Sequence, residues 1–237
     1  MKHLVFGLVA ILSLLSAPAV AQNLIVNGDF ETPATPAGGY IDYPSGSTAL
    51  TGWTVIGAAN GISTVSSGVS VGCCTFPAQN GSAWLDLTGY GTNSNEGIQQ
   101  TVATTAGTQY TLSFWVGNVH DGLPGLGLTS TAIVLINGVQ AGSFTNTANA
   151  QTQSWQQFNV NFTATGASTT IAFVNGDPAL DDNNGLDNIT LVAATAPQPP
   201  PAPSVSAPTL SQWAALLLVC LLAWMGVAKA RRARGRK

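Results

Sequence analysis

The sequence predicts an all-β fold, a sandwich of antiparallel sheets, over the central part of the chain. Short apolar or alternating runs are separated throughout by Gly, Ser, Thr and Asn, and no long stretch there has a helical period. This spacing is typical of β-sandwiches. The pair Asn137-Gly138 between two apolar runs adds a hairpin signal, because these residue types tolerate the positive φ angles of a type I′ turn.

The first segment, residues 1–21, is predicted to be a secretory signal peptide with a helical apolar run. Lys2 supplies a basic start, and an apolar run extends from Leu4 to Leu15. The triplet Ala19-Val20-Ala21 then fits the rule for signal cleavage. A membrane anchor is the alternative, but the apolar run is short for a span. We expect cleavage between Ala21 and Gln22.

Residues 22–193 form the predicted β-sandwich domain. Its predicted strands are Leu24–Asn27, Trp53–Ile56, Ala83–Leu87, Gly97–Thr101, Gln109–Gly117, Ser130–Ile136, Gln140–Phe144, Trp155–Phe162, Thr169–Val174 and Asp187–Val192. The run Ala132–Ile136 is apolar on both faces, which predicts a central strand.

The charges of the chain are strongly partitioned. The sequence has 7 Lys and Arg against 10 Asp and Glu, yet no Lys or Arg lies between His3 and Ala228. All the acidic residues lie between Asp29 and Asp187. A uniformly negative domain repels phosphate backbones, which excludes nucleic-acid binding and phosphoryl chemistry assisted by Arg or Lys.

Several motifs of the domain carry a family resemblance. They are the opening segment Asn23–Glu31, Gly52-Trp53, the run Gly81–Gly89 and the closing segment Leu186–Leu191. With them the domain resembles the galactose-binding-like jelly rolls, including carbohydrate-binding modules, and exported bacterial cell-surface proteins of unknown function. The resemblance implies a jelly-roll β-sandwich and a carbohydrate-binding-like function.

The same resemblance implies a structural calcium ion that joins the first and last strands. By matching positions, Glu31 and Asp187 would supply side-chain ligands, and Asn27 and Asp29 would add backbone or side-chain oxygens. Calcium prefers six to eight oxygen ligands, several of them carboxylates. A surface turn with solvated acidic residues is the alternative, although the lack of nearby Lys or Arg favours a cation.

Three tryptophans predict a sugar-binding surface. Because side chains alternate along a strand, Trp84, Trp115 and Trp155 fall on the polar faces of three strands. Gln157 and Asn159 share the face of Trp155. Trp stacks on pyranose rings and amides bind hydroxyls, so these five residues are the predicted ligand site. The alternative is that loops cover these faces and bury the indoles.

No catalytic residue is predicted, and the protein is not expected to be an enzyme. His120 stands beside Asp121 in a Gly- and Pro-containing loop, and a sequence-adjacent pair does not form a triad. The sequence also lacks a Gly-x-Ser-x-Gly nucleophile motif.

The adjacent residues Cys73 and Cys74 predict a vicinal disulfide, because an exported protein meets an oxidising environment. Free thiols or an intermolecular bridge are the alternatives. Cys220 lies in the C-terminal apolar run and is interpreted as an apolar filler.

The C-terminal part is predicted to be a stalk followed by a membrane helix. Residues 194–206 are Pro-rich and favour an extended linker. The apolar run of about 214–228 would be only ~22 Å long as a helix, so flanking residues must help it span. The basic tail, residues 229–237, should stay cytoplasmic.

The order of these parts in residues 207–237 is itself a recognisable pattern. The box Ala207-Pro-Thr-Leu-Ser-Gln-Trp213, the apolar run and the Arg cluster resemble the IPTL-CTERM sorting signal of Gram-negative bacteria. The chain departs from the family pattern at Ala207 and Ala214, where that signal usually has Ile and Gly. The resemblance implies a single transmembrane sorting helix and an exosortase-type processing enzyme as partner.

The functional hypothesis is therefore an exported cell-surface or matrix protein that binds extracellular polysaccharide. It would be tethered to the inner membrane until its tail is processed. A structural or adhesive surface protein without a small-ligand site is the alternative. A glycoside hydrolase or esterase is a third hypothesis, which would need carboxylates converging in a deep cleft.

Overall fold

The alternating runs of the central chain become β-strands in the computed structural model, which describes residues 22–57, 61–90, 96–120, 124–178, 183–194 and 210–234. The chain divides into two units, Met1–Thr195 and Ala196–Lys237. The strands of the first unit are β1 (Tyr40–Pro44), β2 (Thr54–Ile56), β3 (Gly61–Ser66), β4 (Ser70–Val71), β5 (Cys74–Thr75), β6 (Ala83–Tyr90), β7 (Gly97–Ala103), β8 (Gln109–Asn118), β9 (Ser130–Ile136), β10 (Val139–Asn146), β11 (Ser154–Thr163), β12 (Ser168–Asn175) and β13 (Gly185–Ala193).

Two antiparallel sheets pack face to face, which confirms the predicted β-sandwich. The larger sheet has the order β1-β3-β6-β13-β8-β11, and the other has the order β10-β9-β12-β7-β2. Apolar residues on the inner faces, such as Leu85, Phe114 and Phe173, are fully buried in one core cluster. Trp53 belongs to the same cluster and is 2% exposed. The short strands β4 and β5 form a separate hairpin.

The hairpin predicted at Asn137-Gly138 is confirmed. These residues join β9 to β10 with φ angles of 51° and 78°, both in the left-handed region that the tight turn requires. Strand β9 lies between β10 and β12, which confirms the central position predicted for Ala132–Ile136.

The strand predicted over Leu24–Asn27 is wrong, although the segment contacts the last strand. This segment has no regular structure, yet the amide of Leu24 donates to the carbonyl of Leu191 at 2.8 Å. The amide of Ile189 likewise donates to the carbonyl of Gly28 at 2.8 Å. Isolated bonds of this kind join the opening segment to β13 without forming a continuous ladder.

Strands β1 and β3 and the β4-β5 hairpin were not predicted from the sequence. All six residues of β3 are buried, so its Gly-, Ser- and Thr-rich run shows no alternation between polar and apolar types. A run that is covered on both faces loses the period of two that identifies a strand in sequence.

The described residues of the second unit form the helix α1 (Leu210–Arg234). Within the part of the chain that the structure describes, no helix combines the length and the apolar character needed to cross a membrane. The predicted membrane span over about 214–228 is therefore not confirmed. The predicted signal peptide, residues 195–206 of the linker and residues 207–209 of the sorting box lie outside the described residues.

Candidate functional site

The carboxylates of Glu31 and Asp187, which were predicted as calcium ligands, both accept hydrogen bonds from one short segment. We call residues 79–83 the clasp segment. Glu31 accepts hydrogen bonds from the Ser82 amide at 2.6 Å, the Ser82 hydroxyl at 2.5 Å and the Ala83 amide at 2.8 Å. Asp187 accepts from the amides of Gln79 and Asn80 at 2.9 and 3.0 Å. The opening segment and the last strand thus meet on the clasp segment.

Burial and hydrogen bonding change the acidity of these two groups in opposite directions. Asp187 is fully buried, and desolvation raises its pKa to about 7 despite the amides of Asn80, Asn188 and Gln79. The nearby charge of Asp29 adds to this rise. For Glu31, desolvation acts to raise the pKa, but the hydroxyl and amide of Ser82 and the amide of Ala83 outweigh it and lower the pKa.

The side chain of Asn27 has a structural role. Its Nδ2 donates to the carbonyls of Thr32 and Thr51 at 2.7 and 3.0 Å, and its Oδ1 accepts from the Thr32 amide at 2.9 Å. Among the residues that the structure describes, no group of three or more His, Cys, Asp or Glu side chains is arranged to hold a metal ion. The calcium site of Asn27, Asp29, Glu31 and Asp187 stays a prediction.

Two of the predicted sugar-binding tryptophans are instead packed in a second apolar cluster. Trp84 is 1% exposed, stacks on Phe76 at 6.2 Å between ring centroids and donates its Nε1 to the Phe76 carbonyl. Trp155 is half-buried, meets Trp84 edge-on and donates its Nε1 to the Pro77 carbonyl at 3.0 Å. Trp84 is thus buried, as the alternative interpretation of these faces states, because residues that follow β3 fold back over the outer face of the larger sheet and cover the indole.

The other predicted sugar-binding residues share one region of the same outer face. Trp115 is half-buried and pairs across strands with Gln157, while Asn159 pairs with Ser113. Gln157 and Asn159 are exposed, and the Ser113 hydroxyl donates to Asn159 Oδ1 at 2.5 Å. The structure therefore separates the five predicted residues into a covered aromatic cluster and an open polar strip.

A cavity that the sequence did not reveal lies on the outer face, at the edge formed by β1, β3 and β6. Its volume is about 430 Å³. Trp84 forms part of its apolar lining, and Tyr40 and Tyr90 are 65% and 38% exposed. The remaining lining residues are Asp42, Ser63, Val65, Val69, Val71, Phe76, Asp86, Gly89, Leu126 and Asn183.

The polar lining of the cavity forms a row across three strands. Ser63 pairs with Asp42 on one side and with Asp86 on the other. The Ser63 hydroxyl donates to Asp42 Oδ1 at 2.6 Å. Asp86 Oδ1 accepts from the amide and hydroxyl of Thr88 at 3.0 and 2.7 Å. Directly paired residues present their side chains on the same face, which brings both carboxylates to the cavity.

One sequence signal could have revealed this row. In the run Tyr40-Ile41-Asp42-Tyr43, residues two positions apart share one face of a strand. Tyr40 and Asp42 are accordingly both exposed, whereas Tyr43 is buried. The pairing of Asp42 with Ser63 could not be predicted, because β3 has no visible period. The pairing of Ser63 with Asp86 could not be predicted for the same reason.

The adjacent cysteines lie at the hairpin whose Val71 lines the cavity. Cys73 is exposed and Cys74 is buried. Their Sγ atoms are 2.9 Å apart. The structure shows a contact between these two sulfur atoms, and the vicinal disulfide stays a prediction.

Comparisons with known proteins place the domain in a family and among similar folds. The profile of a family described as "Protein of unknown function (DUF642)" matches residues 23–190. No curated protein matches the chain.

Solved structures give a likeness in fold. A cyclase from Fischerella sp. TAU has a TM-score of 0.53 at 19% identity, with 75% of this chain and all of that chain covered. The same organism's cyclase in complex with 4-(1H-indol-3-yl)butan-2-one has a TM-score of 0.51 at 20% identity, covering 76% and 100%. A family 61 carbohydrate-binding module in complex with beta-1,4-galactotriose has a TM-score of 0.44 at 17% identity, covering 73% and 100%.

Proposed function

Since this chain belongs to the DUF642 family of proteins of unknown function, we propose that it is an exported module that binds extracellular polysaccharide. We place the binding site at the cavity beside β1, β3 and β6. The polar strip of Trp115, Gln157 and Asn159 is the competing location on the same face.

The observation that carries this proposal is the combination of rings and carboxylates in one open cavity. Tyr40 and Tyr90 offer exposed aromatic faces, and Trp84 supplies a rigid apolar wall. Asp42, Ser63 and Asp86 offer hydrogen-bonding groups beside them. Sugars need both features, because a pyranose has apolar C–H faces and a rim of hydroxyls. A volume of about 430 Å³ lies within the usual range of ligand pockets.

The test is a glycan-binding screen with the full chain in mild detergent, followed by titration of the best ligand. We expect Tyr40→Ala to weaken binding at least about tenfold, in line with the loss of a stacked aromatic contact. Tyr40→Phe should keep the affinity because it keeps the ring. Trp115→Ala should leave the affinity unchanged.

A lower glycan affinity of Trp115→Ala together with an unchanged affinity of Tyr40→Ala would move the site to the polar strip. Absence of binding to every glycan would contradict the proposal. The ligand should be recovered intact, because we propose no catalytic role; shortened products would favour a hydrolase.

A structural or adhesive role without a small-ligand site is the second candidate. The burial of Trp84 and the packing of Trp155 against it favour this candidate, since these rings then stabilise the fold. It predicts that Tyr40→Ala and Tyr90→Ala change no binding property while cell-surface attachment of the whole protein persists.

Structural calcium, with Asn27, Asp29, Glu31 and Asp187 as its predicted ligands, is also part of the proposal. Its support is the repulsion between Asp29 and Asp187, which a cation would relieve. The test is thermal unfolding of the full chain with added calcium and with a chelator. We expect a higher midpoint with calcium, and equal midpoints would remove calcium from the proposal.

The two ends of the chain support a proposal about localisation. We propose export across the inner membrane, cleavage between Ala21 and Gln22, and tethering by the C-terminal helix. An exosortase-type enzyme would then remove the tail and leave the protein at the surface or in the matrix. Mass spectrometry of the protein recovered from cells should find Gln22 at its N-terminus and no peptide from residues 229–237.

A further inference from the structure

The cavity beside β1, β3 and β6 carries two acidic side chains and no basic one among its described lining residues. Asp42 and Asp86 flank Ser63 on neighbouring strands, and all three line the cavity. Positions separated by two strands in a sheet lie roughly 10 Å apart. A sugar seated over Ser63 would therefore have a carboxylate on each side.

No Lys or Arg of the domain can neutralise these charges. The sequence has neither residue type from residue 4 to residue 228, so neither the cavity wall nor a nearby loop of the domain can supply one. The domain's own histidine, His120, has its Nδ1 at 2.6 Å from the carbonyl of Gly127 and is not among the residues that line the cavity. Asp42 and Asp86 are therefore not offset by a basic side chain of the domain, and apolar walls strengthen the field that acidic groups create in a cavity.

The aromatic rings at the rim of the cavity favour a cation, as the carboxylates do. The faces of phenol rings carry partial negative charge and attract cations as well as sugar C–H groups. Tyr40 and Tyr90 are the exposed rings of the cavity, and Tyr40 shares a face of β1 with Asp42. A ligand that combines a sugar ring with a positive charge would satisfy both features.

We propose that this cavity selects cationic amino sugars, namely hexosamine units with a free amino group, and rejects acidic sugars such as uronates. This inference rests on the proposed glycan-binding function and specifies its substrate class. The ammonium group lies beside Asp42, whose carboxylate is oriented by the Ser63 hydroxyl, while the ring packs against Tyr40. A uronate carboxylate in the same place would be repelled by Asp42 and Asp86 with no Lys or Arg to compensate.

The test compares three oligosaccharides of equal length by isothermal titration with the full chain in mild detergent. They are a β-1,4-linked glucosamine oligomer, its fully N-acetylated form and an oligogalacturonate. We expect the free amine to bind about tenfold or more tightly than the N-acetylated form, the effect of one ion pair near a surface. The oligogalacturonate should show no binding.

Three variants locate the effect in the cavity. Asp42→Asn is nearly isosteric, and we expect it to bring the ratio of the two affinities close to one. Asp42→Glu keeps the charge and should keep the preference. Tyr40→Ala should weaken both the amine and the N-acetylated ligand, which excludes unspecific attraction of a cation to a negative domain.

The outcomes separate this inference from the function on which it rests. Equal binding of the amine and the N-acetylated form, or binding of the galacturonate, with both sensitive to Tyr40→Ala, would overturn the charge selectivity and leave glycan binding in place. An amine preference that survives Asp42→Asn would also overturn it. Binding of none of the three ligands, together with a negative glycan screen, would overturn the function itself.

Discussion

Trp155 covers two glycines on the outer face of the larger sheet, where a side chain of any size would displace it. A Cβ atom built on Gly117 would lie 2.8 Å from Cζ3 of the indole, and one on Gly185 would lie 3.1 Å from its Cη2. These glycines occupy paired positions on β8 and β13. Trp155 can therefore reach across two strands to Trp84 and complete the aromatic cluster.

We expect Gly117→Ala to destabilise the protein by about 1 to 3 kcal/mol, the usual cost of overpacking a fitted contact. The added methyl group must push the indole away and break its Nε1 contact with the Pro77 carbonyl. Urea unfolding monitored by Trp fluorescence measures the change. Gly166→Ala is the matched control, because a Cβ there meets no atom closer than 3.8 Å. Equal stabilities of the two variants would contradict the packing argument.

The raised pKa of Asp187 predicts that the stability of the protein depends on pH. Its folded pKa, raised by burial to about 7, lies above the ordinary value of 3.8, so the folded protein binds the proton more tightly than the unfolded chain. Its contribution is present below the unfolded pKa and is lost as the pH rises through about 7. Between pH 5 and pH 8 the free energy of unfolding should fall by about 3 kcal/mol.

The measurement is urea unfolding across pH 5 to 8 in the presence of a chelator. Asp187→Asn should flatten the profile because it removes the titrating group. Glu31 has a lowered pKa, so its contribution is lost only at more acidic pH and does not disturb this window. A wild-type stability that rises between pH 5 and pH 8 would contradict the assignment.

At the scale of elements, the clasp segment shows how two chain ends are joined without a continuous strand pair. The opening segment makes isolated backbone bonds to β13, and Glu31 and Asp187 hold the amides of residues 79–83 from the two ends. Carboxylates are strong acceptors for exposed backbone amides. The closure of the domain therefore depends on side chains that sequence alone would interpret as metal ligands.

Glu31→Gln should release one half of the clasp segment and leave the other half in place. The amides of Ser82 and Ala83 lose a charged acceptor, whereas those of Gln79 and Asn80 keep Asp187. We expect faster hydrogen exchange at the first pair and a stability loss of about 1 to 3 kcal/mol. Exchange followed residue by residue by NMR provides the measurement, with Gln79 and Asn80 as internal controls. Unchanged protection of Ser82 and Ala83 would show that Glu31 does not hold the segment.

For the whole molecule, the lack of Lys and Arg between His3 and Ala228 sets the electrostatics. The carboxylates of the domain therefore have no Lys or Arg of the domain with which to form ion pairs. They accept hydrogen bonds from amides and hydroxyls instead, and examples are Glu31, Asp42, Asp86 and Asp187. Their mutual repulsion opposes folding and is screened by salt.

Added sodium chloride should therefore raise the urea midpoint of the full chain at neutral pH. Most domains contain attractive ion pairs that salt weakens, and this domain lacks the Lys and Arg to form them. Glu31→Gln and Asp42→Asn, which each remove a negative charge, should both reduce the salt effect. A midpoint that falls with salt would show that repulsion between carboxylates does not govern the response of this domain to salt.

The sequence by itself determined the sandwich, the hairpin at Asn137-Gly138 and the negative charge of the domain. Turn residues and alternating runs are local signals, and charge is a sum over residues, so neither needs the fold to be known. Only the tertiary structure decided that Trp84 is covered and that Asn27 binds backbone. It also decided that Tyr40, Asp42, Ser63 and Asp86 share one cavity. Those outcomes depend on which strands become neighbours and which loops fold over a sheet face, and pairing between distant segments leaves no period in the sequence.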